Sequence, residues 1–119
     1  MIEPIETVVK GRKNTFLNIP ALDIPHPING IIFMHTVWST SFLQLGLLLE
    51  SLQNFPDIPL YIFDTDHSNT IGIKSNFEVY SDGWGETFWF KSGKIVGIKK
   101  KYNREDLNEL IDNNNMVKL

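Results

Sequence analysis

Between Gly30 and Ser51 the hydrophobic pattern changes its period. Ile31 to Trp38, IIFMHTVW, is a nearly continuous apolar run of strand length, the pattern of a strand covered on both faces. Phe42, Leu45, Leu49 and Leu52 then recur at steps of three or four, forming one helical face that Leu47 and Leu48 broaden. Between the two elements, Ser39 and Thr40 offer side-chain oxygens to cap the first N–H groups of the helix. Asn54-Phe55-Pro56 ends it, because proline disfavours the α conformation in the residue before it.

Downstream, Leu60 to Phe63 reads as a second buried strand, with Asp64, Asp66 and Ser68 as turn or cap residues. Ile71 to Phe77 has the pattern of a short helix. Glu86 to Phe90 and Lys94 to Lys100 form a hairpin joined by Lys91-Ser92-Gly93, with Gly93 suited to positive φ. Asn103 caps a last helix from Arg104 to about Asp112, whose apolar face is Leu107, Leu110 and Ile111. Asp106 is placed to return the bond as in a capping box. Upstream, Glu6 to Phe16 fits a strand and a short helix equally well. IPALDIPHPING, with Pro20, Pro25 and Pro27, reads as an extended connection, so residues 1–29 are expected to form an extended N-terminal segment.

This order of elements predicts an α/β fold: a parallel strand pair joined by a helix, extended by an antiparallel C-terminal hairpin and covered by helices on both faces, a three-layer α/β/α arrangement around a central mixed sheet. At 119 residues, with 42% apolar and 12% aromatic residues, the chain has material for one core and is expected to be a single domain over residues 1–119.

The net charge of -3 has the wrong sign for neutralising phosphates, which argues against a nucleic-acid partner. The chain contains no cysteine, which removes disulfides, thiolate metal sites and cysteine nucleophiles together. MIEPIETVVK lacks the basic and apolar regions of a signal peptide. No window approaches the roughly 18 apolar residues of a membrane span. A cytoplasmic protein with no membrane partner and no cofactor is the expectation.

The same order, with four local matches, resembles the thioredoxin fold family over roughly residues 30–112. Trp38 stands where that family has the Trp before its Cys-x-x-Cys pair. Ile62 to Asp66 looks like the second central strand and its acidic end. TFWFKSGKI, Thr87 to Ile95, is similar to the family hairpin, and NREDLNELID to its last helix. The departures fall on the chemistry. Ser39 replaces the nucleophilic Cys, Thr40 and Ser41 the middle pair, and Phe42 the resolving Cys, so the site cannot exchange disulfides. The family's cis-Pro falls at Glu86, or at Gly85 with a gap shifted by one, and neither readily takes a cis bond.

The resemblance therefore implies a redox-inactive, non-catalytic member that binds another protein, as an inhibitor, an immunity-type partner or an assembly subunit. The expected binding face comprises Trp38, Ser39, Thr40, Ser41, Phe42, Trp84, Gly85 and Glu86, aromatic anchors among small polar residues. The alternative reading of the same aromatics is structural: Phe42 in the core, Trp38 packed under the loop and Trp84 stapling it. A structural homodimer burying this face is a further alternative.

Other chemistries have partial support in the sequence. LYIFDTDHS, Leu60 to Ser68, resembles the first motif of haloacid-dehalogenase-type phosphatases, with Asp64 as nucleophile, Asp66 as acid/base and a divalent cation. His67 stands where Gly is expected, and about fifty residues follow, too few for the rest of such a domain. Asp64, Asp66 and His67, joined by His35 or His26, could collect a metal, though without recognisable ligand spacing; turn and cap roles are the expectation. A serine hydrolase on Ser39 or Ser41 is not expected, since the candidate base His35 stands four residues before Ser39 on an extended strand, roughly 13 Å away by strand rise. Lys99, Lys100 and Lys101, with Arg104 nearby, read as a solvated sheet edge.

Overall fold

The computed structural model describes residues 5–37 and 39–118. In chain order its elements are α1 (Ile5–Lys10), β1 (Thr15–Leu17), a 3-10 turn (Ala21–Asp23), β2 (Gly30–His35), α2 (Ser41–Ser51), β3 (Leu60–Asp64), α3 (Asn69–Phe77), β4 (Thr87–Lys91), β5 (Lys94–Lys99), a second 3-10 turn (Arg104–Asp106) and α4 (Leu107–Val117). The strands form one mixed sheet in the order β1-β3-β2-β4-β5. β1 and β2 both run parallel to β3, while β4 runs antiparallel to β2 and β5 antiparallel to β4.

All six residues of β2 are buried, as its continuous apolar run requires. Its alternate side chains enter two cores. Ile31 and Phe33 pack with Ile62 and Trp89 of the sheet against Leu45, Leu48 and Leu52 at α2 and Leu110 and Val117 of α4. Ile32 and Met34 pack with Tyr61, Phe63 and Phe88 against Ile73 and Phe77 of α3, with Ile24 and Ile28 of the proline-rich connection closing that side.

The structure corrects several boundaries. Residues 5–17 are not extended throughout but contain both α1 and β1, the two alternatives open in the sequence. Arg12 fastens the segment, its guanidinium donating to the carbonyls of Phe55 and Ile58, each at 2.8 Å. β2 stops at His35 instead of running toward Trp38, which lies outside the described residues. The hairpin turn is the two-residue Ser92-Gly93, both at positive φ (52° and 82°), whose twist matches that of the flanking strands.

The capping box at Asn103 is present: Asn103 accepts from the Glu105 N–H at 2.9 Å, and Asp106 accepts from the Asn103 N–H at 2.9 Å. The first turn after it is 3-10, and α4 then continues to Val117 rather than ending near Asp112. Asparagine is a weak helix former, so the extension needs a tertiary reason, supplied by the buried Asn114 amide. Asn114 accepts from Trp89 Nε1 of β4 at 2.8 Å and donates to the Ser51 carbonyl and hydroxyl of α2 at 3.1 and 3.0 Å.

The buried face of α2 is also rotated from the apolar stripe. Ser41, Gln44, Leu45, Leu48 and Ser51 are buried, while Phe42, Leu47 and Leu49 are half-buried. The polar members each make a specific hydrogen bond there: Ser41 in the preceding turn, Gln44 through its Nε2 to the Tyr102 carbonyl and Ser51 with Asn114.

Candidate functional site

The chain leaves β2 through a turn closed by serines. The Thr36 N–H donates to Ser41 Oγ at 2.9 Å, and the Thr36 carbonyl accepts from the Ser39 N–H at 3.1 Å and from Ser39 Oγ at 3.0 Å. Ser39 Oγ in turn accepts from the Ser41 N–H at 3.1 Å, so Ser39 satisfies an orphan donor at the start of α2 as expected. Thr40 stands at the N-cap position with an exposed side chain that makes no capping bond.

This turn overturns the distance argument against a serine–histidine pair. His35 Nδ1 lies 2.9 Å from Ser41 Oγ, because the chain doubles back after His35 rather than continuing as a strand. Ser41 is fully buried, however, and its hydroxyl is already engaged with the N–H and carbonyl of Thr36. The pair acts as a lock joining the end of β2 to the start of α2. Phe33 stacks on the His35 imidazole (centroids 6.4 Å apart), and Phe42 meets it edge-on (6.2 Å).

Burial pulls the His35 pKa below its ordinary value of 6.5, with Asp64, its register partner on β3, pulling the other way. Above pH 6.5 the ring is neutral in both the folded and the unfolded chain, and this contribution to stability is complete. As pH falls through 6.5 the unfolded chain takes up the proton first, and stability is lost. His35→Asn, whose side chain can still reach Ser41, is expected to flatten the fall in stability between about pH 7 and 5.5 in urea unfolding. An unchanged slope would mean that His35 titrates alike in both states.

The second part of the site is the loop before β4. Gly83 and Gly85 both have positive φ (87° and 69°), as the bracketing of Trp84 by glycines suggested. Trp84 is 40% exposed, and Lys101 places its ammonium 4.4 Å from the ring centroid. The Trp84 carbonyl accepts from the Lys101 N–H at 2.8 Å. Gly85 packs on the first turns of α2, where a Cβ would come within 3.0 Å of the Gln44 Cβ. Its carbonyl accepts from Thr87 Oγ1 at 2.9 Å, which also meets the Tyr102 hydroxyl at 2.8 Å. Burial raises the pKa of that phenol, so it acts here as a neutral hydrogen-bonding group.

Glu86 is fully buried, and its carbonyl accepts from the Met34 N–H at 2.9 Å. Among the described residues, the buried side-chain oxygens that lack a hydrogen-bond partner are Gln44 Oε1 and both carboxyl oxygens of Glu86. The cis peptide bond among these residues joins His26 and Pro27, not Gly85 or Glu86.

Of the residues expected on one face, Trp84 and Thr40 are exposed, Ser39 and Phe42 half-buried, and Ser41, Gly85 and Glu86 buried. The last three therefore cannot contribute surface in this conformation, and Trp38 lies outside the described residues. Val37 (57%) and Leu43 (66%) are exposed instead. The sequence pattern hides both, because Val37 falls within the apolar strand run and Leu43 within a leucine-rich stretch. Beside Leu43 a cavity of about 490 Å³ runs along α2, bordered by Gln44, Leu47 and Tyr102 and ending at the Arg104–Glu50 ion pair (2.8 Å).

The remaining candidates have local partners. Asp64 Oδ1 accepts from the Asp66 N–H at 3.1 Å, the turn role expected of it, and His67 Nδ1, rather than Ser68, accepts from the Asn69 N–H at the start of α3 at 3.0 Å. Among the described residues, no three His, Asp or Glu side chains are grouped to hold a metal ion. Lys99 pairs with Asp106 and Glu109, and Lys100 with Asp82. Among the described residues no helix is long and apolar enough to cross a membrane. Compared with protein-family models and with curated proteins, the chain matches none.

Proposed function

We propose that the chain is a redox-inactive, thioredoxin-like domain of three α/β/α layers that binds another protein through the surface formed by the β2–α2 turn and the Trp84 loop. The fold part of this reading is supported by the sheet order, with its parallel β1, β3 and β2 followed by an antiparallel hairpin, and by α2 and α4 packing on one face and α3 on the other. The binding part rests chiefly on one observation, the partial exposure (40%) of the Trp84 indole on a loop between two positive-φ glycines. Exposed Val37 and Leu43 extend the apolar character of this end of the sheet, and Gly85 joins the loop to α2. An aromatic ring supplies a large contact area at low side-chain entropic cost.

Affinity capture from the protein's own cell extract tests the reading, with wild type beside a folded Trp38→Ala, Trp84→Ala variant. A stoichiometric protein held by the wild type and lost by the variant is the expected result. Equal capture by both, or a wild type that light scattering shows to be a stable dimer with this face buried, overturns it. The thioredoxin-like alignment has its own check. Ser39→Cys combined with Phe42→Cys is expected to form an intramolecular disulfide on mild oxidation, read as loss of free thiol in the monomer. Persistent free thiols would put the turn outside that alignment.

A further inference from the structure

The least explained group among the described residues is the Glu86 side chain. It is fully buried, and neither carboxyl oxygen has a hydrogen-bond partner among the described residues. Buried polar side chains are normally satisfied, and a carboxyl group without donors is among the costlier ones to enclose. The backbone bond to Met34 uses the Glu86 carbonyl and would survive substitution of the side chain. The carboxylate form of glutamate has acceptors alone, so the partner that would complete it is a donor.

A second observation points to the same chemistry. Two residues earlier, the Trp84 ring already holds an ammonium, that of Lys101, at 4.4 Å. An indole that is 40% exposed and accepts a cation from its own chain can accept one from another molecule in exchange. The residues on either side of Trp84 are glycines at positive φ, which have the widest choice of backbone conformation should the loop rearrange. The net charge of -3 also favours approach of a basic partner over an acidic one.

We infer that the protein bound at this surface presents a basic side chain, an arginine above all, which displaces Lys101 from the Trp84 ring and, as the loop swings outward, donates two hydrogen bonds to the Glu86 carboxyl group. The inference rests on the protein-binding reading above and specifies what that partner carries. A guanidinium matches both requirements, since it stacks on an aromatic face and bonds a carboxylate through two parallel N–H groups. Lysine satisfies the ring and only part of the carboxyl group. No covalent bond is made or broken, and the exchange is one of contacts.

The test uses the full chain, labelled with ¹⁵N, and an acetylated, amidated Gly-Arg-Gly-Arg-Gly peptide beside its citrulline counterpart, which keeps the shape and loses the charge. The arginine peptide is expected to shift the Trp84 indole N–H and the amides of Gly85, Glu86 and Thr87, and the citrulline peptide to leave them in place. Glu86→Gln is expected to weaken binding at least about tenfold while its thermal midpoint stays at or above that of wild type, since an unpaired acid is removed from the interior.

No shift in wild type up to about 10 mM peptide, where even millimolar affinity would register, overturns the inference. So does an equal response to both peptides, or unchanged binding by Glu86→Gln. A fall in the midpoint of Glu86→Gln would show that the acid is already satisfied in the free protein, and would overturn it equally. The two readings fail separately: a protein captured in a Trp84-dependent way and held equally by Glu86→Gln keeps the binding module and removes the arginine.

Discussion

Asn114→Leu is expected to destabilise the protein by about 3 kcal/mol, because the buried amide is the junction of three elements and leucine can satisfy none of them. Trp89 Nε1 of β4 loses its acceptor, and the Ser51 carbonyl and hydroxyl of α2 lose their donor, all at positions closed to water. A buried donor or acceptor left alone costs about 1–3 kcal/mol, so the indole N–H and Ser51 together reach that figure. In thermal unfolding this corresponds to a fall of about 10 °C for a chain of this size. Adding Trp89→Phe removes the orphaned donor, and the cost of Asn114→Leu should then shrink by about 1 kcal/mol or more. A loss below about 1 kcal/mol for the single variant would show that water reaches the junction.

Gly30→Ala is the second large effect, expected at about 3 kcal/mol, and its cause is backbone geometry. Gly30 opens β2 at φ +148°, and a Cβ there would come within 2.7 Å of the Pro59 carbonyl oxygen. That oxygen is also the acceptor for the Ile31 N–H at 2.9 Å. The alanine methyl therefore cannot be accommodated without displacing the acceptor that registers the start of β2 beside β3. Gly46→Ala serves as the opposite control. A Cβ at Gly46, in the interior of α2, meets nothing within 4 Å, so the substitution should stabilise by about 0.5–1 kcal/mol through helix propensity. Urea unfolding of both variants checks the pair. Equal effects of the same sign would remove the steric argument at Gly30.

Both predictions turn on groups that the sequence pattern did not single out. Asn114 falls in the run Asn113-Asn114-Asn115, which propensity places beyond the end of the helix. Its burial depends on Trp89 and Ser51, residues remote in the chain that meet only after the sheet and α2 have formed. The His35–Ser41 bond was likewise invisible, and strand spacing excluded it, because one turn at Thr36 changes a separation of many ångströms into contact. For Glu86 the sequence supplied the position, beside the glycines and Trp84, but not the burial of its carboxyl group.

What the sequence determined by itself were the features carried by neighbours along the chain. The two buried central strands, the long helix after the first of them, the hairpin and the Asn103–Asp106 capping box follow from periodicity and turn chemistry, which act over a few residues. The absence of thiol chemistry followed from composition alone. The tertiary structure decided which face of α2 is buried, how far α4 extends, that residues 5–17 divide into a helix and an edge strand, that Trp84 is exposed and that Glu86 is buried. Those outcomes depend on whether a distant group arrives to complete a hydrogen bond or to exclude water, and that is settled by packing between elements rather than by the order of residues within them.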